Sequence, residues 1–325
     1  MQKTLITFLI MLCLYEKGSA QKTDTSLNAT IDTTEILKDL QDLLGGDKIS
    51  SSYALVEVSA GNRLFSLNNN RLNARQSSVS TIVYTPTIGY FHKSGLSLSA
   101  GAYLLNDHEK GFGASQYSIT PAFDLLDNKH IGLSISYTHY FVKDHYSIYA
   151  SPVQNDFYAS LSAKKGWLKP GIAGGYSTGV YKQVFEKDTT IGIIHRHIYD
   201  SATFNLKSVS MILSAGHDFD WENIFSRKDG ITFTPSAVVN FGSYNIDVSH
   251  KTNAPNLLQF LLNRGRLPKF INSSFRAESV GLNLNVVYAI GNFSFSPKVY
   301  LDYYLPETDT DKFTQTFNLT VGYAF

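Results

Sequence analysis

Cysteine is nearly absent from this chain: among 325 residues there is one, Cys13, inside an apolar stretch at the amino terminus. Past residue 20 the chain therefore has no disulfides, no thiolate-held metal and no cysteine nucleophile. Long hydrophobic runs are missing as well. The stretch from Leu5 to Tyr15 is about eleven residues where a helical span needs about twenty, and nothing later approaches that length. Charge is sparse and balanced, at 17% of residues with a formal net charge of +1. That balance implies neither a nucleic-acid partner nor any strongly charged one. No glycine-rich phosphate loop, catalytic carboxylate pair or calcium loop is found, so no cofactor is expected.

The first twenty residues read as a secretory signal. Lys3 precedes the apolar run, and Gly18, Ser19 and Ala20 form a small-residue exit, with cleavage expected after Ala20. Leu12, directly before Cys13, is too large for a lipoprotein cleavage site. The domain organisation that follows is a signal peptide at 1–20, a periplasmic segment at 21–50 and a β-barrel at 51–325. Within 21–50 a short helix is expected, capped by Asp32 or Thr33, with an apolar stripe of Ile36, Leu37, Leu40, Leu43 and Leu44, stopped by Gly45 and Gly46. It is read as packing at a barrel mouth or remaining in the periplasm, with a plug or docking helix as the alternative.

What the chain does have is aromatics, 20 Tyr and 21 Phe, set among Ser, Thr, Asn and Gly. From residue 51 onward the dominant period is two. In the last segment Phe313, Gln315, Phe317, Leu319, Val321, Tyr323 and Phe325 share one face, while Thr314, Thr316, Asn318, Thr320, Gly322 and Ala324 share the other. Val280 to Tyr288, Phe293 to Tyr303, Ile131 to Tyr137 and Leu96 to Ala102 alternate in the same way. The polar faces are mostly small and uncharged, and charge is nearly absent from the apolar ones, where Lys or Arg facing hydrocarbon would cost about 2 to 4 kcal/mol. Tyr90, Tyr137, Tyr288, Tyr303 and Tyr323 recur towards strand ends, as an interfacial girdle does.

This pattern predicts an all-β fold, a closed antiparallel transmembrane barrel of about twelve strands beginning near Tyr53, Ser80, Gly95, Ser115, His130, Phe157, Trp167, Leu206, Gly230, Ala277, Asn292 and Phe313. The connections then sort into two classes. His92 to Ser94, Asp127 to Lys129, Lys164 to Gly166, Asp220 to Asp229 and Gly291 are short, all but one tight. Asn68 to Ser78, Asn106 to Ala114, Lys143 to Asp156, Lys182 to Thr203, Ile246 to Arg276 and Glu307 to Lys312 are mostly longer and more polar. Short periplasmic turns and long extracellular loops fit such a barrel, and an even strand count puts both termini in the periplasm. Pro86, Pro121, Pro170, Pro235 and Pro297 fall inside predicted strands near the short turns, so each must sit at a bulge or a non-bonded position.

The signal peptide, the alternating strands and the terminus Phe317-Asn318-Leu319-Thr320-Val321-Gly322-Tyr323-Ala324-Phe325 together resemble the bacterial outer-membrane β-barrel proteins. In that family Tyr323 and Phe325 match the aromatic final-strand pattern that serves as sorting signal. The resemblance implies export, periplasmic chaperones, the barrel-assembly machinery and outer-membrane lipids as partners, and the outer membrane of a Gram-negative bacterium as location. It carries no substrate or small-molecule ligand.

Candidates for chemistry are few. Ser249 and His250 with Asp247 suggest a hydrolase, but strand neighbours point to opposite faces, and the His-x-Ser arrangement expected of outer-membrane phospholipases and lipid A deacylases is missing. His195 and His197 offer two imidazoles, but Arg196 between them opposes a cation, so no metal site is expected. His217, Asp218 and Asp220 read as rim residues. Asp124, Lys169, Lys298 and Asp302 are charged residues expected to face inward, tuning a pore or pairing to close it. The run of Pro255, Leu257, Leu258, Phe260, Leu261 and Leu262, followed by Arg264, Arg266 and Lys269, reads as an apolar helix that constricts the lumen or lies against anionic headgroups. The expected function is a non-enzymatic porin-like channel or narrow transporter for small solutes, or a surface-binding scaffold. A barrel-embedded lipid hydrolase and a structural partner of an envelope complex are the alternatives.

Overall fold

The computed structural model describes residues 52–62, 82–107, 111–126, 128–142, 153–191, 194–226, 228–253, 270–306 and 312–325. The expected signal peptide, the helix expected over Ile36 to Leu44 and the Pro255 to Lys269 segment lie outside them. Every regular element among the described residues is a strand: β1 (Tyr53–Gly61), β2 (Val83–Phe91), β3 (Leu96–Asp107), β4 (Gly111–Asp124), β5 (Ile131–Val142), β6 (Asn155–Ala163), β7 (Lys169–Ile191), β8 (Ile194–Gly216), β9 (Phe219–Glu222), β10 (Asp229–Thr252), β11 (Phe270–Ile290), β12 (Phe293–Tyr304) and β13 (Phe313–Ala324). Each pairs antiparallel with its neighbour, and β13 returns to β1 in a register running from Leu55↔Ala324 to Gly61↔Asn318. The short β9 continues the line of β8 along β10 past a break at His217 and Asp218. The closed barrel therefore has twelve staves.

Closure in this sense follows from the period-two pattern. In β13 the residues Phe313, Gln315, Phe317, Leu319, Val321, Tyr323 and Phe325 are all exposed, while Thr320 and Gly322 between them are buried. Val280 and Leu282 of β11, Phe293, Phe295 and Val299 of β12, Ile131 and Ile135 of β5 and Leu96 and Leu98 of β3 are likewise exposed on the outer wall. A belt of exposed Val, Leu, Ile and Phe around a closed sheet needs hydrocarbon around it, since water would leave that surface unsatisfied.

The prolines sit where the ladder opens. On the β2–β3 side the pairing skips from Tyr84↔Leu104 to Thr87↔Gly101, leaving out Pro86. It skips from Ile119↔His139 to Ala122↔Ser136 around Pro121, and from Asn285↔Lys298 to Tyr288↔Phe295 around Pro297. Pro235 faces the β8–β9 break, and Pro170 lies past the last β6–β7 pair, Ser162↔Gly171. Each residue without an N–H thus keeps its partner on one side only.

Several expectations need correction. Asn106 to Ala114 is mostly paired strand, with β3 and β4 joined out to Asp107↔Gly111, and the turn expected from Asp220 to Asp229 includes the end of β9. Lys182 to Thr203 is a hairpin, not a loop, with β7 and β8 paired out to Ile191↔Ile194. The connection after Ile246 is also shorter than expected, since β10 continues to Thr252 and β11 begins at Phe270. Four adjacent strands, β7 and β8 at 23 residues, β10 at 24 and β11 at 21, therefore outrun the other barrel staves of 9 to 14. At about 3.3 Å per residue, 23 residues extend about 76 Å, whereas the apolar belt of such a barrel is about 25 Å tall. The excess forms a tongue that narrows stepwise, β10–β11 pairing ending at Asp247↔Phe270, β8–β10 at Asp200↔Thr252 and β7–β8 at the Ile191 tip.

The short turns depend on backbone conformations that side chains rarely adopt. Gly95 has φ of 91°, and a Cβ there would collide with the carbonyl oxygen of Asp124, whose N–H donates to the Gly95 carbonyl at 2.9 Å. Gly291 has φ of 55° but open space around it. Gly95→Ala is therefore expected to destabilise the barrel by about 2 kcal/mol or more, and Gly291→Asn by less than about 1 kcal/mol. Urea titration of the refolded barrel in lipid vesicles checks the difference, and equal effects would contradict this account of the turns.

Candidate functional site

The side that faces away from the apolar belt is polar and packed. Leu55 and Glu57 of β1, Gln116 of β4, Thr232 and Ser236 of β10, Val287 of β11 and Ser294 of β12 are each 2% exposed or less. Side chains lining a water-filled pore would keep contact with solvent. At the short-turn mouth Leu55, Phe91 and Ala289 pack together with Tyr53 and Ala324, and the Tyr53 and Phe91 rings stack at 5.0 Å. This apolar mouth was not anticipated, because each strand contributes only one or two of its members.

Higher in the barrel the packing is hydrogen-bonded. Asn240 Nδ2 donates to Ser279 Oγ at 2.8 Å and to Tyr300 OH at 2.7 Å, and Tyr300 OH donates to Asp302 Oδ1 at 2.9 Å. The Tyr300 ring lies so close over Gly281 that a Cβ there would sit 2.6 Å from its hydroxyl. Elsewhere Ser177 Oγ donates to Asp156 Oδ1 at 2.6 Å, Thr120 and Thr138 bond at 2.9 Å, and across the seam Ser59 bonds Thr320 at 2.8 Å.

The four charged candidates occupy different levels of this wall. Asp302 is buried beneath Tyr300, Lys298 is half-buried opposite Asn285 and Asn318, and Asp124 ends β4 beside Gly95. Lys169 forms an ion pair with Asp218, whose other oxygen accepts from Thr234 Oγ1 at 2.9 Å, and the neighbouring Asp220 accepts from Thr232 Oγ1 at 2.7 Å. Asp218 is thus a buried anchor of the wall and not the rim residue expected; the register of β8 along β10 carries on unchanged into β9, which puts Asp218 on the inner face with Gly216 and Asp220. The structure brings Lys169 to Asp218 and does not join the four candidates into one cluster. Glu57 was also missed, although its place between Val56 and Val58 already assigned it to the inner face.

The remaining candidates are spread out. Asp247, Ser249 and His250 lie on β10 opposite Asn205, Thr203 and Ala202, and the His250 side chain lies outside the described residues. His195 and His197 are strand residues opposite Thr190 and Asp188, and their side chains lie outside the described residues. His92 Nδ1 lies 2.9 Å from Ser94 Oγ, but it also accepts the Ser94 N–H, which makes this a tie within an exposed turn. Among the described residues no three His, Cys, Asp or Glu gather as metal ligands would. Tyr323 and Phe325 lie on the outer wall with ring centroids 4.8 Å apart, and the Phe325 N–H donates to the Ala54 carbonyl at 2.8 Å.

The chain is a closed transmembrane β-barrel. No family model matches it, and no curated protein matches it. Among solved structures it is similar to the translocator domain of the autotransporter NalP from Neisseria meningitidis, at 10% identity over 89% of this chain and 93% of that one, with a TM-score of 0.35. It is also similar to the β domain of the Bordetella autotransporter BrkA (11%, covering 85% and 99%, TM-score 0.34) and to LpxR from Salmonella typhimurium (11%, covering 83% and 99%, TM-score 0.31). These are bacterial outer-membrane barrels, and at such values the likeness carries no activity to this chain.

The Lys169–Asp218 pair gives a direct test of the wall. Lys169→Met removes the cation from a buried carboxylate and is expected to cost about 3 kcal/mol, whereas Lys169→Met with Asp218→Leu should recover most of that loss. Urea unfolding followed by heat-modifiable gel mobility measures both, and a double variant no better than the single one would contradict the pairing.

Proposed function

We propose that this chain is a non-enzymatic outer-membrane barrel with a sealed lumen, acting as a scaffold that presents the tongue of β7, β8, β10 and β11 at the cell surface. The observation that carries this reading is the burial of inner-wall side chains from β1, β4, β10, β11 and β12. With the lumen filled, the part of the described residues that extends farthest beyond the belt is the tongue. Its outer face changes character along each strand: in β10 it passes from Val239 and Phe241 to Asn245, Asp247, Ser249 and Lys251, all four exposed. A sheet that turns polar on its outer face has left the membrane. Its β7 edge past Thr178 has no strand beside it among the described residues, and such an edge is a template for pairing with an extended partner segment.

In this reading the short turns face the periplasm, and Tyr323 and Phe325 present the last strand to the barrel-assembly machinery. A channel for small solutes requires the filled lumen to open, and a lipid hydrolase requires a nucleophile with a base beside it. The wall as built favours neither.

Purified protein in planar bilayers is expected to show no stable single-channel steps, and persistent steps would overturn the sealed-lumen reading. Because Cys13 is the one cysteine and lies in the expected signal peptide, introduced cysteines report orientation cleanly. Glu186→Cys should react with an impermeant maleimide on intact cells, and Lys228→Cys only after permeabilisation. The reverse labelling would place the tongue on the periplasmic side.

A further inference from the structure

The outer wall of β5 to β8 is not a plain apolar belt. It carries a groove of about 430 Å³ with Ala159 and Gly174 as its floor and Leu161, Ile172, Val209 and Phe275 among its walls. That volume is at the lower end of ligand pockets. The floor exists because two small residues face outward in register with long ones, and a Cβ on Gly174 would meet nothing nearer than the Ser210 carbonyl oxygen at 3.7 Å. A groove opening onto the membrane takes hydrocarbon.

Farther out on the same wall, past the exposed Phe157–Tyr176 pair on β6 and β7 and next to Val209 on β8, runs a polar row. Lys207, two residues from Val209 on the same face of β8, is about 7 Å from it along the strand. It is exposed, and it stands opposite Thr178 of β7 and Asn245 of β10. Thr178 stands opposite Asn155, whose Nδ2 donates to Thr178 Oγ1 at 3.3 Å. Asn155 Oδ1 accepts from Tyr137 OH at 2.8 Å and lies 2.9 Å from His139 Nδ1. On β8 and β10 the outer faces change from apolar to polar at this row, and on β7 they do so one alternation farther out, between the exposed Val180 and Lys182; that boundary is the level of lipid headgroups. No carboxylate stands in it. Asp247 lies two residues farther out on β10, and Lys182 four residues farther out on β7 supplies a second cation.

We propose that this wall binds one phosphorylated membrane lipid, with an acyl chain in the Ala159–Gly174 groove and the phosphate on the Lys207 ammonium and the Thr178 hydroxyl. The two halves are complementary in the sense a phosphorylated lipid requires. The apolar groove supplies contact area without chemical selectivity, and Lys207 supplies a charge-assisted hydrogen bond that a neutral headgroup cannot use.

The test uses the full chain folded in detergent, titrated with phosphatidic acid, with diacylglycerol of the same acyl chains and with inorganic phosphate, followed by native mass spectrometry. Phosphatidic acid is expected to bind one per chain and more tightly than diacylglycerol. Lys207→Ala should weaken it about tenfold, in line with loss of one charge-assisted hydrogen bond. Gly174→Leu, which fills the groove, should weaken it as well, while Lys228→Ala at the opposite rim should not. Heat-modifiable mobility establishes that each variant is folded. Equal affinity for phosphatidic acid and diacylglycerol would overturn the proposal. So would wild-type affinity in both the Lys207 and Gly174 variants, or inorganic phosphate binding with the same dependence on Lys207.

Discussion

In hydrocarbon a backbone N–H or C=O has no water to bond, so a sheet can cross a membrane only if its last strand finds its first. The pairing of β13 with β1 meets that condition, and the rest of the molecule depends on it. Seven residue pairs join the two strands, from Leu55↔Ala324 to Gly61↔Asn318, and the ladder extends past both ends, where Ala54 and Phe325 exchange N–H bonds and the Asn62 N–H donates to the Phe317 carbonyl. The same requirement restricts the prolines. Each is tolerated where the ladder is already open on one side, at Pro86, Pro121 and Pro297 by a local gap, and at Pro170 and Pro235 by the end or interruption of a neighbouring strand.

Once the sheet is closed, its inner face becomes a confined space that the sequence must fill. Small residues keep the staves from crowding, and a few large ones reach over them. Tyr300 lying across Gly281 is the clearest case, because the glycine provides room and the ring supplies the missing volume. Polar groups sealed inside are held best when bonded, since each unsatisfied one costs about 1 to 3 kcal/mol, a cost the wall bears at Ser134 Oγ and Ser294 Oγ. The chain from Asn240 through Tyr300 to Asp302 and the Lys169–Asp218–Thr234 set are both bonded in this way. The second also covers the β8–β9 break, where Pro235 removes a ladder donor. A structural discontinuity and a buried ion pair thus share one place.

How much of this was legible depended on whether a strand has one wet and one oily face. In β13, β12 and the inner half of β11 the alternation of Phe, Leu and Val with Thr, Ser and Asn is strict, and both strand and facing were read correctly. The tongue was read as loop because a strand in water has no oily face, so the period-two signal disappears in the run containing Glu186, Lys187, Asp188, His195, Arg196 and His197. Pairing out to Ile191↔Ile194 is a property of the closed hairpin and not of either segment alone. Asp218 was obscure for a related reason: its partner Lys169 is 49 residues away, and only the register of three strands brings them together. The Lys207 row was invisible because its members come from separate stretches, each unremarkable by itself.

The two ends of the outer wall also show why charge sits where it does. A lysine at the midplane of the belt would cost about 2 to 4 kcal/mol, but that cost falls towards zero near the interface. The inward Lys169 avoids it by facing the lumen and pairing with Asp218. Lys207 points outward and avoids it by height, one alternation beyond Val209 and level with Thr178 and Asn245. Its position therefore fixes the water line on β8 independently of any aromatic girdle. On β10 the same line falls between Phe241 and Asn245. Everything beyond that line, the outer half of β7 and β8 and the end of β10, is strand that bilayer thickness does not require. A barrel needs no such extension to be stable, and strand pairing carried that far into water is best explained by what the extended surface meets there.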